Sequence, residues 1–146
     1  MSSLLDSDTK IRVSSTLNRD VKSYGKQFLT DNSDETCWNS DQGTPQHIAI
    51  DFGSAVKVQA LHFMFQGGFT GKECEIVGVN NEGADDVWEK VVDFYPEDQN
   101  HLQVFPLPTD VAAAKSWKRL RIVFKNSTDF YGRVTVYRLD VLGERL

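Results

Sequence analysis

Phe28-Leu29-Thr30-Asp31-Asn32-Ser33-Asp34-Glu35-Thr36-Cys37-Trp38-Asn39-Ser40-Asp41-Gln42-Gly43-Thr44-Pro45-Gln46-His47-Ile48-Ala49-Ile50-Asp51-Phe52 is the stretch that decides the fold. A polar, acidic loop runs into a large aromatic, Trp38. A turn follows around Gly43 and Pro45, and then strict alternation from His47 to Phe52, closed by Gly53. The alternation puts Ile48, Ile50 and Phe52 on one face, the signature of a half-buried strand. Trp38 is expected to plug the core, its indole N–H bonded to a loop carbonyl, the alternative being a ring that stacks on a ligand.

Outward from this stretch the same grammar repeats: short apolar-alternating segments separated by turn residues. Strands are expected at Ile11 to Ser15, His47 to Phe52, Val56 to Gln66, Glu73 to Val79, Trp88 to Tyr95, Leu102 to Leu107, Trp117 to Lys125 and Val134 to Leu142. Eight such strands suit an all-β jelly-roll sandwich, in which two antiparallel sheets bury their inner faces. In Trp117 to Lys125, Leu120, Ile122 and Phe124 share the core face, and Arg119, Arg121 and Lys125 share a basic outer face. The apolar parity switches within the last strand, so a bulge is expected near Tyr137 and Arg138. A similar switch separates Val56 and Val58 from Leu61, Phe63 and Phe65. Thr109 to Lys115 is the best helical segment, with Thr109 as its cap; a second, weak helix runs through Asn18 to Lys22.

At 146 residues, 40% hydrophobic and 25% charged, the chain is the size of one soluble domain. Residues 1–146 are read as a single domain with its core over about 11–143 and a short flexible N-terminal tail. No apolar run reaches the length of a membrane helix. The polar Met1 to Lys10 lacks the layout of a secretion signal, which predicts an intracellular protein with Cys37 and Cys74 as free thiols. A net charge of −5 argues against direct nucleic-acid binding by the molecule as a whole. Yet from Lys115 to Arg138 seven basic residues, Lys115, Lys118, Arg119, Arg121, Lys125, Arg133 and Arg138, stand against one acid, Asp129. That polarity either steers an acidic partner or is simply a solvated sheet face.

Nothing in the chain resembles a catalytic motif: there is no Gly-x-Ser-x-Gly, no His-Glu-x-x-His and no phosphate-binding loop. A non-enzyme is expected. Binding chemistry is better represented. Asp31, Asp34 and Thr36 are oxygen donors of the kind calcium takes, or else the partners of Asx-turns within the loop. Gln66-Gly67-Gly68-Phe69-Thr70-Gly71 is a glycine-rich loop whose Phe69 is either a binding spike or a loop plug. Asn126-Ser127-Thr128-Asp129-Phe130-Tyr131-Gly132-Arg133 is a second loop, in which Arg133 either braces Asp129 or stays free for an anion or carbohydrate.

The ordered set of Ser14-Ser15, Asp31 to Trp38, Ile48 to Gly53, Phe124 to Arg133 and Leu139-Asp140-Val141-Leu142-Gly143 resembles the discoidin family, the coagulation factor 5/8 type C domains. The resemblance implies a galactose-binding-domain-like jelly roll that binds rather than catalyses. Thr36 to Asp41 with Pro45 to Ile48 also looks like the Doc-type domain of a ubiquitin ligase, which recruits substrates. Cys37 to Gly43, Phe65 to Phe69, Val92 to Asp98 and the run from Thr128 through Val134 to Val141-Leu142-Gly143-Glu144 are similar to a small vertebrate family of nuclear-receptor-associated repressors. That resemblance implies a corepressor or adaptor, nuclear and also cytoplasmic, monomeric, whose partner is an orphan nuclear receptor hindered in its DNA binding. The alternatives are the Doc-like recruitment subunit and a carbohydrate or lipid-headgroup module. Calcium-bearing relatives use the residues here at Asp31 and Thr36 together with a glutamate early in the last strand. Arg138 stands near that position, so the resemblance implies a weak or absent calcium site and no cofactor. The partner surface is expected to comprise Phe69, Phe130, Tyr131 and Arg133, flanked by Arg119 and Arg121.

Overall fold

Alternation of apolar and polar residues makes each strand half-buried, and such strands are stable only when two sheets close over a shared core. The computed structural model, which describes residues 2–80 and 87–146, has that arrangement. Its strands are β1 (Ser2–Ser3), β2 (Lys10–Val13), β3 (Trp38–Asn39), β4 (Gln46–Phe65), β5 (Cys74–Val79), β6 (Glu89–Phe94), β7 (Leu102–Pro106), β8 (Trp117–Phe124) and β9 (Thr135–Arg145). Two short helices, α1 (Val21–Tyr24) and α2 (Thr109–Ala114), lie in the connections.

The strand β4 serves both sheets. Its first part pairs with β2 and β8 up to Asp51; the register then breaks, the β8 pairing resumes at Val56 with Trp117, and from Val56 onward β4 pairs with β9 and, farther along, with β7. Gly53, at φ +78°, sits in the break. One sheet therefore runs β2–β4–β8–β5–β6, and the other runs β7–β4–β9, with β1 and β3 on the far edge of β9. Phe63 and Phe65 of the second sheet meet Phe124 of the first edge-on at 5.9 and 6.0 Å, and Phe63 stacks on Phe94 at 5.9 Å. These edge-to-face and stacked contacts join the sheets into one core. The fold is the discoidin-type jelly-roll sandwich.

Several boundaries differ from the sequence expectation. The strands expected at His47 to Phe52 and Val56 to Gln66 are one continuous strand of 20 residues, and the two-residue strands β1 and β3 carry no signal of their own. Both parity switches are bulges: Met64 pairs with Arg138 and Phe65 with Val136, which leaves Tyr137 extra, and Gln59 is extra between Val58 and Ala60. Pro108, not Thr109, occupies the cap of α2, and no side chain caps it. The weak helix at Asn18 to Lys22 is a 3-10 turn, Leu17–Arg19, running into α1.

The N-terminal tail is the largest correction. Leu4 is only 1% exposed and donates its N–H to the Val141 carbonyl at 2.8 Å. The Arg145 guanidinium grips both carboxylate oxygens of Asp6 at 2.9 Å and donates to the Phe52 carbonyl at 2.8 Å. That hydrogen-bonded guanidinium holds the Asp6 carboxyl below its ordinary range. Residues 2–9 thus form part of the sandwich edge.

Candidate protein-interaction surface

Two loops join at one end of the sandwich. Thr70 N–H donates to Thr128 Oγ1 at 3.0 Å, Thr128 N–H donates to the Thr70 carbonyl at 2.9 Å, and Gly71 bridges to Ser127. A third loop, not among the binding loops expected from the sequence, ties them together. Asp98 Oδ1 accepts from Gly68 N–H at 2.7 Å and from the hydroxyls of Thr70 and Thr128 at 3.0 and 3.3 Å; Asn100 Oδ1 accepts from Gly67 N–H at 2.6 Å. No local pattern marks Asp98 or Asn100, because each acts on a loop some thirty residues away in sequence.

Within the second loop, Asp129 Oδ2 accepts from both the backbone N–H and the Nε of Arg133, at 3.0 and 2.9 Å. The brace is therefore made, and the Arg133 side-chain bond holds the Asp129 carboxyl below its usual range. Gly132, at φ +82°, packs so closely on the Gly43 turn that a Cβ would lie 2.9 Å from Gly43 backbone, and Gly43 N–H donates to the Tyr131 carbonyl at 2.7 Å. These contacts hold a rigid tip. On it Phe130 is 94% exposed and Tyr131 58% exposed, their rings edge-to-face at 5.3 Å. The Arg133 guanidinium lies 5.7 Å from the Tyr131 ring and 5.1 Å from that of Phe69. Phe69 is half-buried beneath it and acts as a loop plug rather than a spike.

Arg119 and Arg121 do not flank this tip. They project from the outer face of the first sheet, Arg119 near the opposite end of β8 and Arg121 at its middle, over Trp88 at 5.8 and 4.7 Å from its ring centroid. Five residue steps of strand run from Arg119 to Phe124, where β8 ends and the tip loop follows, about 17 Å. The expected site is therefore two surfaces: the tip of Phe130, Tyr131 and Arg133 over Phe69, and a basic sheet face.

The acidic loop is arranged around a cation of its own. Arg138 Nε forms an ion pair with Asp34 Oδ1 at 2.6 Å, and its Nη2 donates to the Asn32 carbonyl at 3.1 Å. Thr36 Oγ1 donates to Asp31 Oδ2, and Ser33 N–H donates to Asp31 Oδ1 at 3.2 Å. Donors that face a guanidinium and one another do not converge as the six to eight oxygens of calcium do, and the set does not fit that ion. Trp38 is fully buried and donates its indole N–H to the Ser15 carbonyl at 3.0 Å. Cys37 and Cys74 are free, and burial raises both thiols, away from the thiolate form a nucleophile needs.

No protein-family model matches the chain. It is 50% identical over 143 residues to the nuclear receptor 2C2-associated protein of Danio rerio, an alignment covering 98% of this chain and 96% of that one. The human protein of the same name is 44% identical over 144 residues, covering 99% and 98%. Among solved structures, the F5/8 type C domain of a Bacteroides fragilis protein superposes with a TM-score of 0.80 at 13% identity, covering 99% of this chain and 97% of that one. A CBM32 domain from Clostridium perfringens, solved in complex with GalNAc-β-1,3-galactose, gives 0.76 at 14% identity, covering 97% and 100%.

Proposed function

The chain belongs to the nuclear receptor 2C2-associated protein family, and from that premise we propose that it is a non-catalytic corepressor or adaptor. It binds an orphan nuclear receptor through the Phe130–Tyr131 tip and hinders that receptor's binding to DNA, in the nucleus. The observation that carries this reading is the exposure of two adjacent aromatic rings on a loop locked from behind. Aromatics beside arginine are the residue types that dominate interface energy, and a pre-ordered loop loses little entropy on docking. The relatives' name supplies the partner class.

The experiment pairs capture of nuclear receptor 2C2 with thermal melting for wild type, Phe130→Ala and Tyr131→Ala. Both side chains are exposed, so melting temperatures are expected to stay at the wild-type value while capture falls. In the same preparation, wild-type protein is expected to reduce the receptor's gel shift on its response element. Wild-type capture by both variants would remove the tip from the reading. A second reading, glycan binding by stacking on Tyr131, has support from the exposed ring and from the neighbour solved with a disaccharide. Tyr131-dependent signal on a glycan array, without receptor capture, would favour it.

A further inference from the structure

The outer face of the first sheet carries an ordered ladder of side chains. Directly paired residues share a face, so the register of β2, β4 and β8 reads in rows. One row is Lys10, Asp51 and Arg119; the next is Arg12, Ala49 and Arg121. In the row after that, His47 pairs with Val123, with Ser14 beside it through the Ser14 Oγ that accepts from His47 N–H at 2.9 Å. The middle row has the smallest side chain at its centre and an arginine on either side. The result is a groove of about 460 Å³, floored by Ala49 and walled by Trp88. That size falls within the usual range of ligand cavities, roughly 300–1,000 Å³.

The donors of this row lack acceptors. Arg121 Nε is buried and has no hydrogen-bond partner among the described residues. Stacking on Trp88 at 4.7 Å holds the guanidinium in place but does not satisfy that N–H. Arg12 is exposed and likewise has no partner among the described residues. Strands lie about 4.8 Å apart, so the Arg12 and Arg121 backbones stand roughly 10 Å apart across Ala49. One carboxylate above Ala49 is within reach of both guanidinium groups.

We propose that this groove docks an acidic segment of a partner protein, with one aspartate or glutamate carboxylate over Ala49 between Arg12 and Arg121 and an apolar neighbour against Trp88. The surrounding charges select a short anion over a long one. Asp51 sits in the row on one side, and Glu75 and Asp93 continue the His47–Val123 row on the other. A phosphate backbone crossing the face would meet these carboxylates on a molecule of net charge −5, whereas a peptide carrying one or two acids would not. The groove lies away from the aromatic tip, and the proposal does not depend on the tip's role.

The test titrates three labelled probes against the full chain: a peptide of alternating glutamate and leucine, the same peptide with glutamine for glutamate, and a single-stranded DNA oligonucleotide. The glutamate peptide is expected to bind, more weakly as salt is added, and the glutamine peptide not to bind. Arg12→Gln and Arg121→Gln are each expected to weaken the glutamate peptide at least about tenfold. Arg12 is exposed on an edge strand, so its variant keeps the wild-type melting temperature and reads the site even if Arg121→Gln disturbs folding. Equal peptide affinity for wild type and Arg12→Gln, or tighter binding of the oligonucleotide than of the glutamate peptide, would overturn the proposal.

Discussion

Trp38 stands where the acidic loop meets the core, and its two parts answer different demands. The ring fills space beside Phe124, with centroids 6.3 Å apart, and the indole N–H donates to the Ser15 carbonyl. Trp38→Ala removes both contributions. It is expected to cost about 3–5 kcal/mol, read as a lowered midpoint in chemical or thermal unfolding. An unchanged midpoint would mean that the ring does not support the core. This role was legible in the sequence, because a tryptophan between a polar loop and an alternating strand has few places to go but inward. Phe69 was not: the same glycine loop permits a spike or a plug. The choice fell to Arg133, which reaches over the ring from a loop distant in sequence.

At the scale of elements, the acidic loop and β9 act together. The bulge at Tyr137 shifts the parity of β9, so Leu139 and Val141 face the core, while Arg138 reaches Asp34 and the Asn32 carbonyl. A cation is thus already supplied by the chain. Calcium is therefore expected to leave the melting temperature unchanged between excess calcium and chelator. A tightly bound ion would raise it by mass action, and a clear upward shift with calcium would refute this. The sequence carried part of this reading, since an arginine near a carboxylate position is visible in one dimension. The ion pair to Asp34 was not visible, because it joins residues at opposite ends of the chain.

The sandwich as a whole is closed by its two termini. β1 extends the edge of β9, Leu4 enters the core, and Arg145 links Asp6, the Phe52 carbonyl and the Ser54 hydroxyl. Deleting residues 2–8 removes β1, the Leu4 side chain and the Asp6 carboxylate that Arg145 grips, and uncovers part of β9. It is expected to lower the unfolding midpoint, the loss of the Leu4 side chain alone being worth about 1.5–3 kcal/mol. A truncated protein that melts with the full chain would show that the terminus only rests on the edge.

What the sequence by itself determined was the alternation of the strands, the inward residues of β4 and β8, the bulge in β9 and the class of the fold. All of these follow from the two-residue period of extended backbone and the removal of apolar area from water, which act over a few neighbouring residues. Only the tertiary structure decided that the two expected strands are one, that the terminus is anchored, and that Asp98 ties the loops of residues 66–71 and 126–133 together. It also separated Arg119 and Arg121 from the aromatic tip and placed Arg121 across Ala49 from Arg12. These outcomes depend on which distant segments pair and in what register, and a hydrogen bond such as that between Thr70 and Thr128, 58 residues apart, leaves no periodic trace in the chain.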